Sequence, residues 1–252
     1  MEEGSGPPLL FLHGISGLNW DDSLTALARS HRVIAPRHPG YGDESQAELD
    51  TVHDLVYAYL DLFEALDLEG VPLVGHSLGG MIGAELAATQ PKRFSKLVLL
   101  APMGFFHVDR PTFDFFACTP REMAAAFFKD PESPAAVAAG DRGLARIAQL
   151  GHESAEGREL IEVYVERTKT LATAAKYLWP IPNRGLHKRI HRVSAPTLVL
   201  WGDSDRVVPP SYAHDSEAGI RGAQCETIAD AGHELMLEQP QRVVEQIEAF
   251  LR

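Results

Sequence analysis

A serine flanked by glycines two residues to either side stands in the run Gly75-His76-Ser77-Leu78-Gly79-Gly80. The run lies between a short apolar stretch with strand character and a segment of small residues with helical character. In that setting it reads as a nucleophile elbow. The serine sits in a strained turn where flanking side chains would collide, so glycines let strand and helix approach while the hydroxyl is held out. A serine hydroxyl is a weak nucleophile until an imidazole takes its proton, so a histidine must return to it from elsewhere in the chain. Of the eleven histidines, His233 is placed best. It follows the last strand-like run, precedes the last helix, and falls at the sheet edge where Ser77 emerges. His76 is expected to turn away from the hydroxyl by alternation, and His13 belongs to another loop. His187 and His191 form an i, i+4 pair with no third ligand nearby, which reads as a solvated helix face. The base needs a carboxylate to fix its tautomer. Asp203 and Asp205, both within residues 201–209, and Asp230 all qualify, and spacing alone does not separate them. Asp203 also reads as a turn-former bonding its own backbone.

The elements that must position these residues follow from hydrophobic patterning. Short runs rich in Leu, Val and Ile at residues 9–12, 32–35, 72–75, 96–101, 197–201 and 224–228 alternate with segments of helical spacing. Buried parallel strands alternating with covering helices give this pattern, an α/β fold with one sheet of six strands. Val52, Leu55, Val56, Tyr59, Leu60, Phe63 and Leu66 recur every three or four residues and predict a helix capped by Asp50 or Thr51. Residues 78–89 predict a second helix, ended before Pro91. A last helix begins with Pro240 at its first position. Residues 103–192 break the alternation. They hold seven of the eleven phenylalanines, which build either a small core of their own or the wall of a pocket. The predicted division is a core of residues 1–102 and 193–252 with an inserted helical cap of 103–192.

Composition narrows the functional classes. The 252 residues, 45% of them hydrophobic, suffice for one large core. A net charge of -12 leaves no basic surface for nucleic acid and disfavours strongly anionic ligands. The first residues lack a signal sequence, and the longest apolar runs are strand-sized, so the expectation is a cytoplasmic protein without membrane partners. Cys118 and Cys225 read as structural thiols.

Taken together, the elbow, the chain order serine, acid, histidine and the alternating strands resemble the α/β-hydrolase superfamily over nearly the whole length. The resemblance implies that Asp205, the last aspartate of a W-G-x-x-D-x-x-x-P-like segment, is the acid. It implies that Leu12-His13-Gly14-Ile15 is the oxyanion loop, with the N–H groups of Ile15 and Leu78 as donors worth roughly 3 kcal/mol each. Residues 103–192 then correspond to the family's cap, and His13, Gly14, His76, Phe105 and Trp179 become candidate substrate-binding residues. The loop Arg37-His38-Pro39-Gly40-Tyr41-Gly42 takes a shaping role, with Arg37 where an Asp is common. Members usually begin with an antiparallel hairpin, for which the residues before Leu9 show no strand pattern. The expectation is therefore a shortened sheet with residues 32–35 at its edge, inviting a homodimer through that edge. The implied activity is cleavage of small, mostly apolar carboxylic esters through an acyl-enzyme, with no metal or cofactor. Cleavage of a carbon-carbon bond in diketone-like ring-fission products, or hydrolysis of lactones or thioesters, is the alternative reading, and a small-molecule receptor retaining the three residues is the non-enzymatic one.

Overall fold

The computed structural model describes residues 1–42, 48–139, 149–151, 153–181 and 183–252. Its strands are β1 (Glu2–Glu3), β2 (Pro8–Leu12), β3 (Arg32–Ile34), β4 (Val71–His76), β5 (Phe94–Leu100), β6 (Thr197–Gly202) and β7 (Gln224–Ile228). They form one sheet in the order β1-β3-β2-β4-β5-β6-β7. From β3 to β7 the neighbours are parallel, and Gly75 at the end of β4 sits opposite Leu12 of β2 and Leu99 of β5. The central strands are buried along nearly their whole length, which is why their sequences are continuous apolar runs.

The helices of the core are α1 (Asp22–Leu27), α2 (Val52–Ala65) and α3 (Leu78–Thr89), and, later in the chain, α7 (Ala213–Gly219), α8 (Leu235–Glu238) and α9 (Pro240–Leu251). Two groups pack on the sheet, α2 with α3 and α1 with α8 and α9. Thr51 caps α2 through a reciprocal box with Asp54, and Val52, Leu55, Val56, Tyr59, Leu60 and Phe63 form its buried stripe. α3 is buried from Leu78 to Ala88, so small residues on every side are what its packing requires.

The edge of the sheet differs from the sequence expectation. β1 lies antiparallel outside β3, with Glu2 opposite Ile34 and Glu3 opposite Val33, so the sheet has seven strands and Arg32–Ile34 is an inner one. The N-terminal antiparallel pairing is therefore present in short form. Two exposed glutamates carry no apolar alternation, and β1 is held by backbone and end contacts instead. The Met1 amino group donates to Ala35 O at 2.8 Å, and Arg32 pairs with Glu2 at 3.3 Å. The edge at residues 32–35, on which a homodimer was expected to pair, is thus already occupied.

Between β5 and β6 the described residues contain no strand. This stretch holds α4 (Pro120–Phe127), α5 (Pro134–Ala139) and α6 (Ala155–Leu178), followed by 3-10 turns at Leu186–Lys188 and Ile190–Arg192. Residues 140–148, 152 and 182 of the expected cap lie outside the described residues. His187 and His191 are exposed as expected, but on consecutive 3-10 turns rather than one helix face. Arg189 between them turns its side chain to Glu85 of α3, and its backbone, at φ -122° and ψ -25°, separates the two turns. Among the described residues no helix is long and apolar enough to cross a membrane, and Cys118 and Cys225 are unpaired thiols.

Candidate active site

Ser77 lies at the junction of β4 and α3 with φ +53° and ψ -113°, a left-handed backbone that a non-glycine residue adopts only under constraint. The constraint is visible in its neighbours. A Cβ on Gly79 would lie 2.0 Å from the carbonyl oxygen of Leu12, and one on Gly75 would lie 2.4 Å from that of Gly79. Strand, turn and helix therefore close on one another only with glycine at both places. The Ser77 peptide is pinned by N–H donation to Leu100 O at 2.9 Å and by acceptance from Met103 N–H at 3.1 Å.

His233 stands in the loop between β7 and α8, with Nε2 2.8 Å from Ser77 Oγ and Nδ1 2.8 Å from Asp205 Oδ2. Asp205 follows β6. Its Oδ1 accepts the N–H groups of Val207 at 2.8 Å and Val208 at 3.0 Å, and its Oδ2 accepts Trp201 Nε1–H at 3.1 Å. With donors on both oxygens Asp205 acts as an acceptor only, so Nδ1 of His233 carries the hydrogen. Nε2 is then free to accept from the serine hydroxyl. Ser77, His233 and Asp205 are 1%, 0% and 4% exposed, so their interactions are little weakened by solvent. Burial pushes the His233 pKa down, but the charge of Asp205, its hydrogen bond and the nearby Glu234 outweigh it, and the net shift is upward.

The other two aspartates are engaged elsewhere. Asp203 accepts from Ser204 Oγ–H at 2.7 Å and from Asp230 N–H at 3.1 Å, and Asp230 pairs with Lys129.

The loop after β2 passes beside the serine, since a Cβ on Gly14 would lie 3.3 Å from that of Ser77. Among the described residues the N–H groups of Ile15 and Leu78 have no acceptor, which leaves both free to donate to a ligand. A cleft of about 300 Å³ opens here, lined by Ile15, Met123, Phe127, Phe128, Thr170 and Leu171 among others. A smaller cavity of about 130 Å³ is lined by His13, Gly14, His76 and Asp21. Phe105 is buried, and Trp179 is about half exposed with its ring edge-on to Phe116; neither lines these two cavities.

Several residues hold the site in ways the sequence did not reveal. His76 donates from Nε2 to His233 O at 2.9 Å, tying the elbow to the histidine loop. Phe127 O, at the end of α4, accepts the N–H groups of His233 at 2.8 Å and Glu234 at 3.2 Å, and its ring meets the imidazole edge-on at 5.3 Å. The carboxylate of Glu238 accepts from Gly232 N–H at 2.6 Å and Lys129 N–H at 2.8 Å. Backbone carbonyls have no sequence signature, and Glu238 reads as an ordinary helix residue. Among the described residues no group of three His, Cys, Asp or Glu side chains is arranged to hold a metal.

This arrangement can activate a hydroxyl and offers two N–H donors to charge developing beside it. Residues 7–240 match the alpha/beta hydrolase fold family. The chain belongs to the alpha/beta hydrolase fold family. Within it, the chain is 28% identical to an uncharacterized protein of Mycobacterium tuberculosis, covering 98% of this chain and 76% of the other. It is 27% identical to a 2-hydroxy-6-oxo-6-phenylhexa-2,4-dienoate hydrolase of Comamonas testosteroni, covering 92% and 83%. Among solved hydrolase folds, a thermophilic esterase from Thermogutta terrifontis superposes with a TM-score of 0.74 at 23% identity, covering all of this chain and 92% of that one.

Proposed function

We propose that the protein is a serine hydrolase that cleaves small, mostly apolar carboxylic esters through an acyl-enzyme. The observation that carries this reading is His233 bridging Ser77 and Asp205 at 2.8 Å on either side. Ser77 Oγ attacks the acyl carbon as its proton passes to Nε2, and the carbonyl electrons move onto an oxygen received by the Ile15 and Leu78 N–H groups. Collapse of the tetrahedral species breaks the ester bond, and the leaving alkoxide takes the proton from Nε2. Water then attacks the acyl-enzyme with His233 again as base, releasing the acid and restoring Ser77. No step requires a metal or cofactor. Ile15, Met123, Phe127, Phe128 and Leu171 give the cleft an apolar wall suited to an uncharged acyl or alcohol group, while Glu166, Arg167 and Glu234 add charged groups to its lining.

The test is hydrolysis of short and medium p-nitrophenyl esters at neutral pH. Ser77→Ala is expected to fall to background, and Asp205→Asn to lose roughly 10⁴-fold in kcat because the imidazole then takes the wrong tautomer. Similarity to the Comamonas hydrolase supports a second reading, cleavage of a carbon-carbon bond in a diketone-like ring-fission product. Serine-dependent turnover of such diketones with none of aryl esters would replace the first reading by the second. Binding without turnover of either would make the protein a receptor.

A further inference from the structure

The Ile15 N–H donates usefully only if its loop is held still, because an oxyanion donor must be aimed where charge appears rather than settle there afterwards. Among the described residues the loop's own backbone offers little, a single 3.3 Å bond from Gly17 N–H to Gly14 O. Its stiffness comes from a buried group of three side chains outside the triad. His38 Nε2 lies 2.7 Å from His13 O, and the peptide N–H of His38 donates to His13 Nε2 at 3.0 Å. His13 Nδ1 lies 2.7 Å from Gly14 O, and His38 Nδ1 lies 2.5 Å from Tyr59 Oη.

These contacts fix both tautomers. A carbonyl oxygen can only accept, so the hydrogen of His38 is on Nε2 and its Nδ1 must accept the Tyr59 O–H. By the same logic His13 carries its hydrogen on Nδ1 and accepts at Nε2. Every ring nitrogen is used once, and a second proton on His13 would face the His38 peptide N–H, which can only donate. The two ring centroids lie 3.8 Å apart with the planes tilted by 39°, Tyr41 is edge-on to both, and His13, His38 and Tyr59 are buried. Tyr59 sits on α2, one of the well-packed helices of the core. The loop is therefore braced through His38 against a rigid element, on the side away from solvent. Burial favours the neutral rings this geometry needs, drawing His38 down to about 4 and His13 well below its ordinary value.

We propose that His38, oriented by Tyr59, is a positioning residue for the oxyanion loop, holding His13 from both its carbonyl and its ring and so aiming the Ile15 N–H. The inference rests on the hydrolase reading. It goes beyond the shaping role expected for the loop after β3, because it names two residues that touch no substrate and gives them an effect on the transition state.

The experiment compares wild type, His38→Gln, Tyr59→Phe and Ser77→Ala with p-nitrophenyl butyrate as substrate and an aryl trifluoromethyl ketone as transition-state analogue. A slack oxyanion donor is expected to lower kcat about ten- to a hundredfold with KM within twofold. The fluoroketone inhibition constant should rise in the same proportion across the series. Tyr59→Phe removes one oxygen and nothing else, so it reports even where His38→Gln fails to fold. Unchanged kcat in folded Tyr59→Phe overturns the proposal. So does a loss that follows the thermal midpoint and leaves fluoroketone affinity intact, since that marks a purely structural role. Activity surviving in Ser77→Ala would instead overturn the hydrolase reading itself.

Discussion

Two opposing effects act on the His233 ring, and their balance sets how the site answers to pH. Complete burial disfavours the imidazolium, while the Asp205 charge, its hydrogen bond and Glu234 favour it and prevail. In the proposed mechanism the imidazole must be neutral to accept the Ser77 proton, so kcat/KM for an aryl ester is expected to fall as pH drops through a pKa above the ordinary imidazole range. In Asp205→Asn the burial is opposed only by Glu234, and the residual activity should titrate at lower pH. Glu234→Gln should move the limb the same way by a smaller amount. Measured kcat/KM profiles for the three proteins check this, and an acid limb that stays fixed in Asp205→Asn would assign it to another group. At this scale Ser77 and His233 were legible because their loops have a recognisable motif and place in the chain. The choice of Asp205 over Asp203 and Asp230 came only from the family resemblance and not from spacing, because it depends on which carboxylate the folded loops bring within reach of Nδ1.

Helices and strands with a buried face were legible from their period, as in α2, where every residue of the buried stripe recurs at helical spacing. β1 was not, because two exposed glutamates held by backbone pairing leave no hydrophobic pattern. The work of α4 was equally hidden, since it reaches the loops that carry His233 and Arg206 through carbonyl groups: Phe127 O takes the His233 N–H, and Ala125 O takes Arg206 Nη1 at 2.8 Å. At its other end the inserted stretch is tied to α3 by side chains. Arg189 Nε and Nη2 grip the Glu85 carboxylate at 2.8 and 2.6 Å, and the Glu85 side chain is only 1% exposed. Replacing one partner strands a buried charge, whereas replacing both does not. Arg189→Met is therefore expected to cost about 3 kcal/mol in urea unfolding, and Arg189→Met with Glu85→Leu distinctly less. Additive losses in the double variant would show that the pair is not coupled.

For the molecule as a whole, the sheet and its order of chemistry were readable, while the cleft was not, because its walls come from parts far apart in the chain. Its shape poses a question of access, since Ser77 is 1% exposed. α4 is bound to the histidine loop and cannot swing away without disturbing His233. α6 is tied to the core by its last two turns, where Thr173 Oγ1 donates to Gly40 O at 2.9 Å and Tyr177 Oη to Pro39 O at 3.0 Å. Its middle faces α4 across the cleft, and Arg167 Nη2 meets Met123 Sδ at 3.0 Å. Substrate is then expected to enter by separation of the middle of α6 from α4, with the C-terminal end of α6 staying in place. Met123→Cys and Arg167→Cys, introduced with Cys118→Ser, allow the two helices to be joined by a bis-maleimide. Cys225 reacts slowly by comparison, because burial and the nearby Glu217 and Glu226 push its thiol up to about 11. Joining the helices is expected to lower turnover of p-nitrophenyl hexanoate at least roughly tenfold, while each single cysteine blocked with N-ethylmaleimide stays active. Full activity in the joined protein would place the moving element elsewhere and leave α6 a fixed wall of the cleft.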